Sequence, residues 1–189
     1  MKNSSIGNLM DYEYSKEEHF NNLMIYGMMS GKIKKYYKQK EMSIKEYVEG
    51  IISLYLLIEK YIESGIKDIA RTLRDIIVKS YIVLINIFPD KTFDSITKEL
   101  IDLYERKNWD YQNAAENQLR WSGAISFKTT LEHKIARIKS YYDGIKFKID
   151  DEKIWDTIGD LINYCMIYTI WVVKEFPRNR EVNLKYKMV

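Results

Sequence analysis

Apolar residues recur at intervals of three and four along most of the chain, which is the spacing of an amphipathic α-helix. The pattern predicts helices at about residues 16–39, 43–64, 66–88, 92–109, 127–142 and 151–176. The polar, mixed stretch at 111–126 is predicted to be a loop with room for one short helix. An all-α bundle of five to seven helices is therefore expected, and the low counts of 8 glycines and 2 prolines agree with long helices and few turns.

The ends of three of these helices carry recognisable signals. Ser43 and Glu46 have the spacing of a capping box, in which each side chain binds the other residue's backbone amide. Pro89 and Pro177 should end the third and last helices, because proline disfavours a helical residue before it.

The first helix is less regular, and glycines at 27 and 31 predict a break in its middle. We expect its core-facing side to consist of Phe20, Leu23, Met24, Met28 and Ile33.

One feature hints at internal repetition. Thr72-Leu-Arg-Asp75 can be laid over Thr157-Ile-Gly-Asp160, and a long apolar run follows each aspartate. One interpretation is a duplication, with two similar helical halves; the other is that two unrelated amphipathic helices align by chance. The division predicted is a flexible N-terminus at 1–14, an N-terminal half at 15–91, a second half at 92–176 and a basic tail at 177–189.

Composition and charge exclude several classes of protein. A net charge of +3, from 30 basic and 27 acidic residues, is too balanced for a dedicated nucleic-acid binder. A single cysteine, Cys165, excludes an intrachain disulfide and suits a reducing compartment. The most apolar stretch, at 76–88, is too short to span a bilayer, and the N-terminus does not read as a leader peptide. We therefore expect a cytoplasmic protein with no membrane partner.

Acidic residues on the last predicted helix form the clearest chemical pattern. Glu152, Asp156 and Asp160 follow one another at intervals of four, so they stack on one face, where their like charges repel. A divalent cation would relieve this repulsion, and grouped carboxylates suit Mg²⁺ or Mn²⁺, especially with a phosphorylated ligand. Asn163 follows on nearly the same face and could orient a ligand. The alternative is an ordinary acidic stripe facing water.

Two other helices could supply partners for this face. Asp102 and Glu105 lie three residues apart and could complete a metal site from a facing helix. Lys107 could meet a phosphate as a point charge, with Asp110 just beyond it. Lys134 and Arg137, also three apart, could hold phosphate oxygens, although such pairs are common on exposed helix faces. The side chains that could stack on a nucleobase, or simply pack in the core, are Trp109 and Trp121.

The span 98–171 resembles the nucleotide-modification-associated family of bacterial and phage proteins. The matching segments are Lys107-Asn-Trp-Asp110-Tyr111, Lys134-Ile-Ala-Arg137-Ile and Asp156-Thr-Ile-Gly-Asp160-Leu-Ile-Asn163-Tyr164. That family is similar to the all-α nucleoside triphosphate pyrophosphatases, whose paired acidic motifs bind Mg²⁺. The resemblance implies a Mg²⁺-dependent protein that binds or hydrolyses a nucleotide. It implies metal ligands at Asp102, Glu105, Asp156 and Asp160, catalytic roles for Lys107, Asp110, Lys134 and Arg137, and nucleotide contacts from Trp109, Tyr111, Trp121 and Asn163.

The sequence also departs from that pattern. Gln112 stands where the family usually has glycine, and the acidic pairs have altered spacing. In the N-terminal half, Arg71 occupies the place of Asp156, so that half would serve as a structural or dimerising unit. The alternative function is non-enzymatic: a phage-type counter-defence protein that binds a host protein or sequesters a nucleotide. A homodimer is a further possibility, and neither the nucleotide nor turnover can be assigned from sequence.

Overall fold

The computed structural model describes residues 14–37, 42–64, 69–110, 113–144 and 153–175. Within these ranges the chain forms seven α-helices and no strand, so the predicted all-α class is confirmed. The helices are α1 (Lys16–Tyr36), α2 (Ile44–Glu63), α3 (Ala70–Ile87), α4 (Phe93–Asp110), α5 (Ala114–Ser122), α6 (Ala124–Tyr142) and α7 (Ile154–Glu175).

The core lies where α3 and α7 pack against each other. Both helices are apolar around much of their circumference, and Ile76, Ile77, Leu161 and Ile162 are buried there. Around this centre α1 contacts α4 and α2 contacts α6, so each helix of the first half touches its counterpart in the second. Within each half the last two long helices also pack together, α2 on α3 and α6 on α7. A duplicated bundle would have this arrangement, and duplication itself stays a prediction.

The first helix differs from its sequence prediction in two ways. It is continuous across Gly27 and Gly31, so the expected break is wrong. The residues that bury themselves on the bundle are Asn22, Tyr26, Ser30 and Ile33, spaced at one helical turn. These buried residues anchor the helix on both sides of the glycines, and it stays continuous. Of the apolar residues expected in the core, Ile33 is buried and Leu23 is half-buried, whereas Phe20, Met24 and Met28 face water.

The stretch predicted as a loop at 111–126 is mostly helical where it is described. Asn113 adopts the left-handed conformation at φ 58° and leads directly into α5, which begins with two alanines and buries Leu119. Gly123 then turns the chain at φ 62°, a value that favours glycine, and α6 follows at once. Alanine's high helix propensity and this one-residue turn explain why two helices fit where the polar composition suggested a loop.

The expected helix ends at Ser43 and Pro89 are confirmed. The Ser43 amide donates to Glu46 Oε2 at 2.7 Å, and the Glu46 amide donates to Ser43 Oγ at 3.3 Å, which completes the capping box. Helix α3 ends at Ile87, two residues before Pro89. No helix in the described part of the chain has the length and apolarity needed to cross a membrane.

A close approach between α4 and α7 sets the geometry of the second half. A Cβ atom at Gly159 would lie only 2.9 Å from Leu100 Cδ2, closer than carbon atoms approach in proteins. Leu100 is itself fully buried and has little freedom to move away. Glycine at this position therefore lets α7 lie against α4, and Asp160, the next residue, sits where side chains of α4 can reach it.

Candidate functional site

Asp160 lies between two lysines that come from two other helices. Lys107 Nζ on α4 donates to Asp160 Oδ1 at 2.9 Å, and Lys134 Nζ on α6 donates to Asp160 Oδ2 at 2.9 Å. The Asp160 side chain is 14% exposed, whereas that of Lys107 is 49% exposed. We call these residues the Asp160 triad. The site thus has one half-open edge, on the side of Lys107.

The register of α6 against α7 explains why these charged residues meet. The two helices run antiparallel, since the Phe127 ring packs on Tyr168 at 4.2 Å between centroids while Lys134 pairs with Asp160. One turn further toward the C-terminal end of α6, Arg137 lies at the level of Asp156 on α7. The charges predicted for the second half therefore lie at two levels along α6 and α7. Lys134 and Asp160 form one level, which Lys107 reaches from α4, and Arg137 and Asp156 form the other.

The four carboxylates predicted as metal ligands do not gather in one place. Glu105 lies on α4, and its side chain points toward α1, where its Oε1 lies 4.0 Å from His19 Nε2. It is two residues from Lys107, so the two side chains leave α4 about 200° apart. Asp102 is exposed, and Asp160 is held by lysines. Among the described residues there is no group of three or more His, Cys, Asp or Glu side chains that could hold a metal.

Other residues predicted from sequence lie in varied surroundings. The Asn163 side-chain oxygen accepts a hydrogen bond from the buried Tyr26 hydroxyl, so this amide faces the core. Trp109 is partly exposed and packs edge-on against His19, at 5.2 Å between ring centroids. Trp121 and Asp110 are exposed near helix ends. Tyr111 and Glu152 lie outside the described residues.

A second polar cluster, absent from the sequence predictions, surrounds the fully buried Glu116 on α5. Its Oε1 accepts from Lys174 Nζ at 2.6 Å and from Arg120 Nη2 at 3.1 Å. Its Oε2 accepts from the amides of Asn113 at 3.0 Å and Asn22 at 3.2 Å. Both oxygens are thus satisfied by two donors each, as a buried charge requires. We call this cluster the Glu116 network; its members are Glu18, Asn22, Asn113, Glu116, Arg120 and Lys174.

The Glu116 network ties distant parts of the chain together. Lys174, near the end of α7, also donates to Glu18 Oε1 at 2.6 Å and to Asn22 Oδ1 at 3.2 Å, both on α1. Arg120 reaches the same Glu18 oxygen at 3.4 Å. Among the described residues, two carboxylates therefore face two cations. It fastens α1, α5 and α7 at one end of the bundle.

Tyr14 extends this network toward α4. Its hydroxyl accepts from the Asn108 amide at 2.7 Å and lies 3.1 Å from His19 Nδ1. Burial, the largest cause, raises the pKa of Tyr14 to about 12. Burial likewise raises the pKa of Tyr104, whose hydroxyl accepts from the Asn108 amide at 3.2 Å. Asn108, the second residue of the Lys107–Tyr111 motif, thus donates to hydroxyls inside the bundle, whereas its neighbour Lys107 binds Asp160.

The comparisons add no relative. No protein-family model matches the chain, and neither a curated protein nor a solved structure matches it. The resemblance described above therefore depends on motif residues alone. Within the part of the chain that the structure describes, the geometry offers a half-open site at the Asp160 triad and a closed cluster around Glu116.

Proposed function

We propose that the protein binds a nucleotide, or another phosphate-bearing metabolite, at the Asp160 triad. The observation that carries the proposal is the convergence of Lys107 and Lys134, from different helices, on one partly buried carboxylate. The Lys107 side chain is half exposed at the edge of the triad, so a phosphate arriving there meets its ammonium group directly. Lysine ammonium groups bind phosphate oxygens as point charges and need no fixed fork geometry.

Asp160 has a definite part in this proposal. A carboxylate that pairs with both lysines holds their flexible side chains together before a ligand arrives, which lowers the entropy lost on binding. When phosphate oxygens take over Lys107 at the exposed edge, Lys134 keeps its contact with Asp160 deeper in the protein. Arg137, one turn along α6, stands on the same side of that helix for a longer phosphate chain.

The described residues do not by themselves assemble a Mg²⁺ centre, since three or more carboxylates do not gather. Mg²⁺ that accompanies a nucleotide needs fewer protein ligands, because phosphate oxygens and water complete its shell. Asp156 and Asp160, one turn apart on α7, are the two residues that would hold such an ion. Bound there, it would neutralise phosphate charge.

Binding without turnover is the second candidate, and the same pairing favours it. Both Asp160 oxygens already accept from lysines, which leaves this carboxylate poorly placed to activate water. A protein that sequesters a nucleotide needs only the cationic site. Hydrolysis remains the proposal that follows from the pyrophosphatase resemblance, and the two differ in whether the ligand is recovered intact.

The test is calorimetric titration of the full chain with pyrophosphate, nucleoside triphosphates and cyclic nucleotides, with and without Mg²⁺. Lys107→Ala and Lys134→Ala should each weaken binding about tenfold or more, because each removes a charge-assisted contact. Lys128→Ala is the matched control, since this α6 lysine pairs with Glu59 at 2.6 Å, away from the triad. Chromatography of the recovered ligand then separates sequestration from hydrolysis. Equal losses in all three variants, or no binding by the native chain, would contradict the proposal.

A further inference from the structure

An exposed apolar stripe runs along the outer side of α1. Phe20, Met24 and Met28 are 61%, 49% and 65% exposed, and they follow one another at intervals of four. Gly27 and Gly31 lie beside them, and a Cβ atom built on either meets nothing within 4 Å. At about 100° per residue all five positions fall within roughly 100° of the helix circumference. We call them the α1 stripe.

Opposite charges stand at the two ends of this stripe. Glu17, in the first turn, and Lys35, in the last, are exposed and lie on the same side of α1. Neither side chain forms an ion pair with another residue that the structure describes. Along one face the helix therefore presents an acid, then large apolar side chains, then glycines, then a base.

This order of residues is complementary to the same order on a second α1 helix that runs in the opposite direction. If two α1 helices pack antiparallel about a two-fold axis beside residues 25 and 26, Phe20 faces the partner's Gly31 and Met24 faces the partner's Gly27. Large side chains then enter the spaces left by glycines, and Glu17 comes within a residue of the partner's Lys35. A parallel pair would instead bring the two copies of Glu17 to one end of the interface and the two copies of Lys35 to the other, which removes the attraction between Glu17 and Lys35.

We propose that the α1 stripe is the interface of a homodimer in which two α1 helices pack antiparallel. A depression of about 440 Å³ borders the stripe and is lined in part by Glu17, Met24 and Lys174, so the partner's Met28 has space to enter. One helix face buries less than a standard interface of about 1,600 Å², and we expect a weak dimer with a dissociation constant in the micromolar range. The proposal is independent of nucleotide binding.

Sedimentation velocity of the full chain over about 1 to 200 µM tests the dimer directly. The native chain should pass from monomer to dimer in this range, and Met24→Glu should weaken association at least about tenfold. Leu56→Glu on α2 is the matched control, because Leu56 is also 49% exposed but lies on another surface. A native chain that stays monomeric throughout, or equal weakening by both variants, overturns the proposal and leaves the stripe to a different partner.

Charge reversal tests the orientation. Glu17→Lys and Lys35→Glu should each weaken the dimer, since each places like charges at both ends of the interface. The double variant should restore association toward the native value, because the attraction is re-formed with its signs exchanged. Circular dichroism and melting of each variant check that α1 remains folded. Failure of the double variant to recover contradicts the antiparallel pairing.

Thiol cross-linking gives an independent geometric measurement. In the antiparallel pair the two copies of residue 27 are about 4 Å apart along the axis, and those of residue 31 about 16 Å apart. Gly27→Cys should therefore be joined by a short bis-maleimide, whereas Gly31→Cys should not. The native Cys165 is fully buried and should contribute little background. Equal cross-linking at both positions indicates a parallel pair and overturns the proposal.

Discussion

The Glu116 network and the Asp160 triad use the same chemistry, a carboxylate held by two cations, but they differ in closure. Glu116 is fully buried, and its two oxygens accept four hydrogen bonds. Asp160 accepts from two lysines, one of them half exposed. A closed cluster of this kind fixes helices, whereas a cluster with an exposed lysine is available to a ligand.

The largest effect on stability should come from opening the closed cluster. Glu116→Gln removes the negative charge between Arg120 and Lys174 and should lower the free energy of unfolding by about 3 kcal/mol, because the two partly buried cations then share Glu18 as their acidic partner within the network. Urea unfolding followed by circular dichroism measures this. Asp90→Asn, at an exposed position, is the control and should change stability by less than about 0.5 kcal/mol. A small loss for Glu116→Gln would mean that water reaches the network.

A smaller loss is expected where α4 meets α7. Gly159→Ala adds a methyl group 2.9 Å from Leu100 Cδ2, and the resulting strain of about 1–3 kcal/mol should exceed alanine's helix advantage of about 1 kcal/mol. The sharper measurement is a double-mutant cycle. Leu100→Ala makes room for the methyl, so the two substitutions together should destabilise less than their sum. Strict additivity would show that α4 and α7 are not in tight contact at this point.

The triad should respond differently in stability and in binding. Asp160→Asn should lower the free energy of unfolding by about 1–2 kcal/mol, because the two ion pairs are partly exposed. The same change removes the negative charge that competes with a phosphate, and we expect this gain to outweigh the poorer positioning of the two lysines, so metal-free pyrophosphate should bind more tightly. Calorimetry without Mg²⁺ measures this sign. Asp75→Asn tests the corresponding residue of the first half, whose partner among the described residues is the adjacent Arg74, and should alter neither quantity appreciably.

The smallest effect is a change in alkaline stability at the edge of the network. Burial raises the pKa of Tyr14 to about 12, so the folded state keeps a proton that the unfolded chain releases near pH 10. The stability linked to Tyr14 is therefore fully present below pH 10 and declines as pH rises toward about 12. Tyr14→Phe should make the decline between these values less steep in urea unfolding at matched pH. An unchanged slope would show that Tyr14 is as exposed as in the unfolded chain.

The sequence predicted the helices well because each carries its own periodicity and end signals. Ser43 with Glu46, and Pro89, act within a few residues, so local physics places these ends. The side of α1 that faces the core was harder to predict, since its buried side includes Asn22 and Ser30, while methionines face water. Hydrophobicity alone assigns such a helix to the wrong orientation when polar side chains are satisfied inside the bundle.

The candidate site was predictable only in part. Lys107, Lys134 and Asp160 stand out as charges at helical spacings, and the structure brings these three together. The direction in which Glu105 points depends on how α4 is rotated about its axis in the bundle. No local sequence signal specifies that rotation. The Glu116 network was missed because its contacts join residues such as Asn22 and Glu116, 94 positions apart. A glutamate after two alanines and a lysine ending an apolar helix were its only traces.

The bond between Lys174 and Glu18 has a consequence for how the chain reaches this structure during synthesis. The two residues are 156 positions apart, so α1 leaves the ribosome long before its partner on α7 exists. Until then the acidic end of α1 lacks Lys174, and α3 lacks the helix that covers its apolar side. Contacts of such separation form late because closing a long loop is entropically unfavourable. The first half therefore cannot complete its packing before the second half is made. A ribosome that stalls before it adds Lys174 would carry a nascent chain in which α1 has not formed its contact with α7.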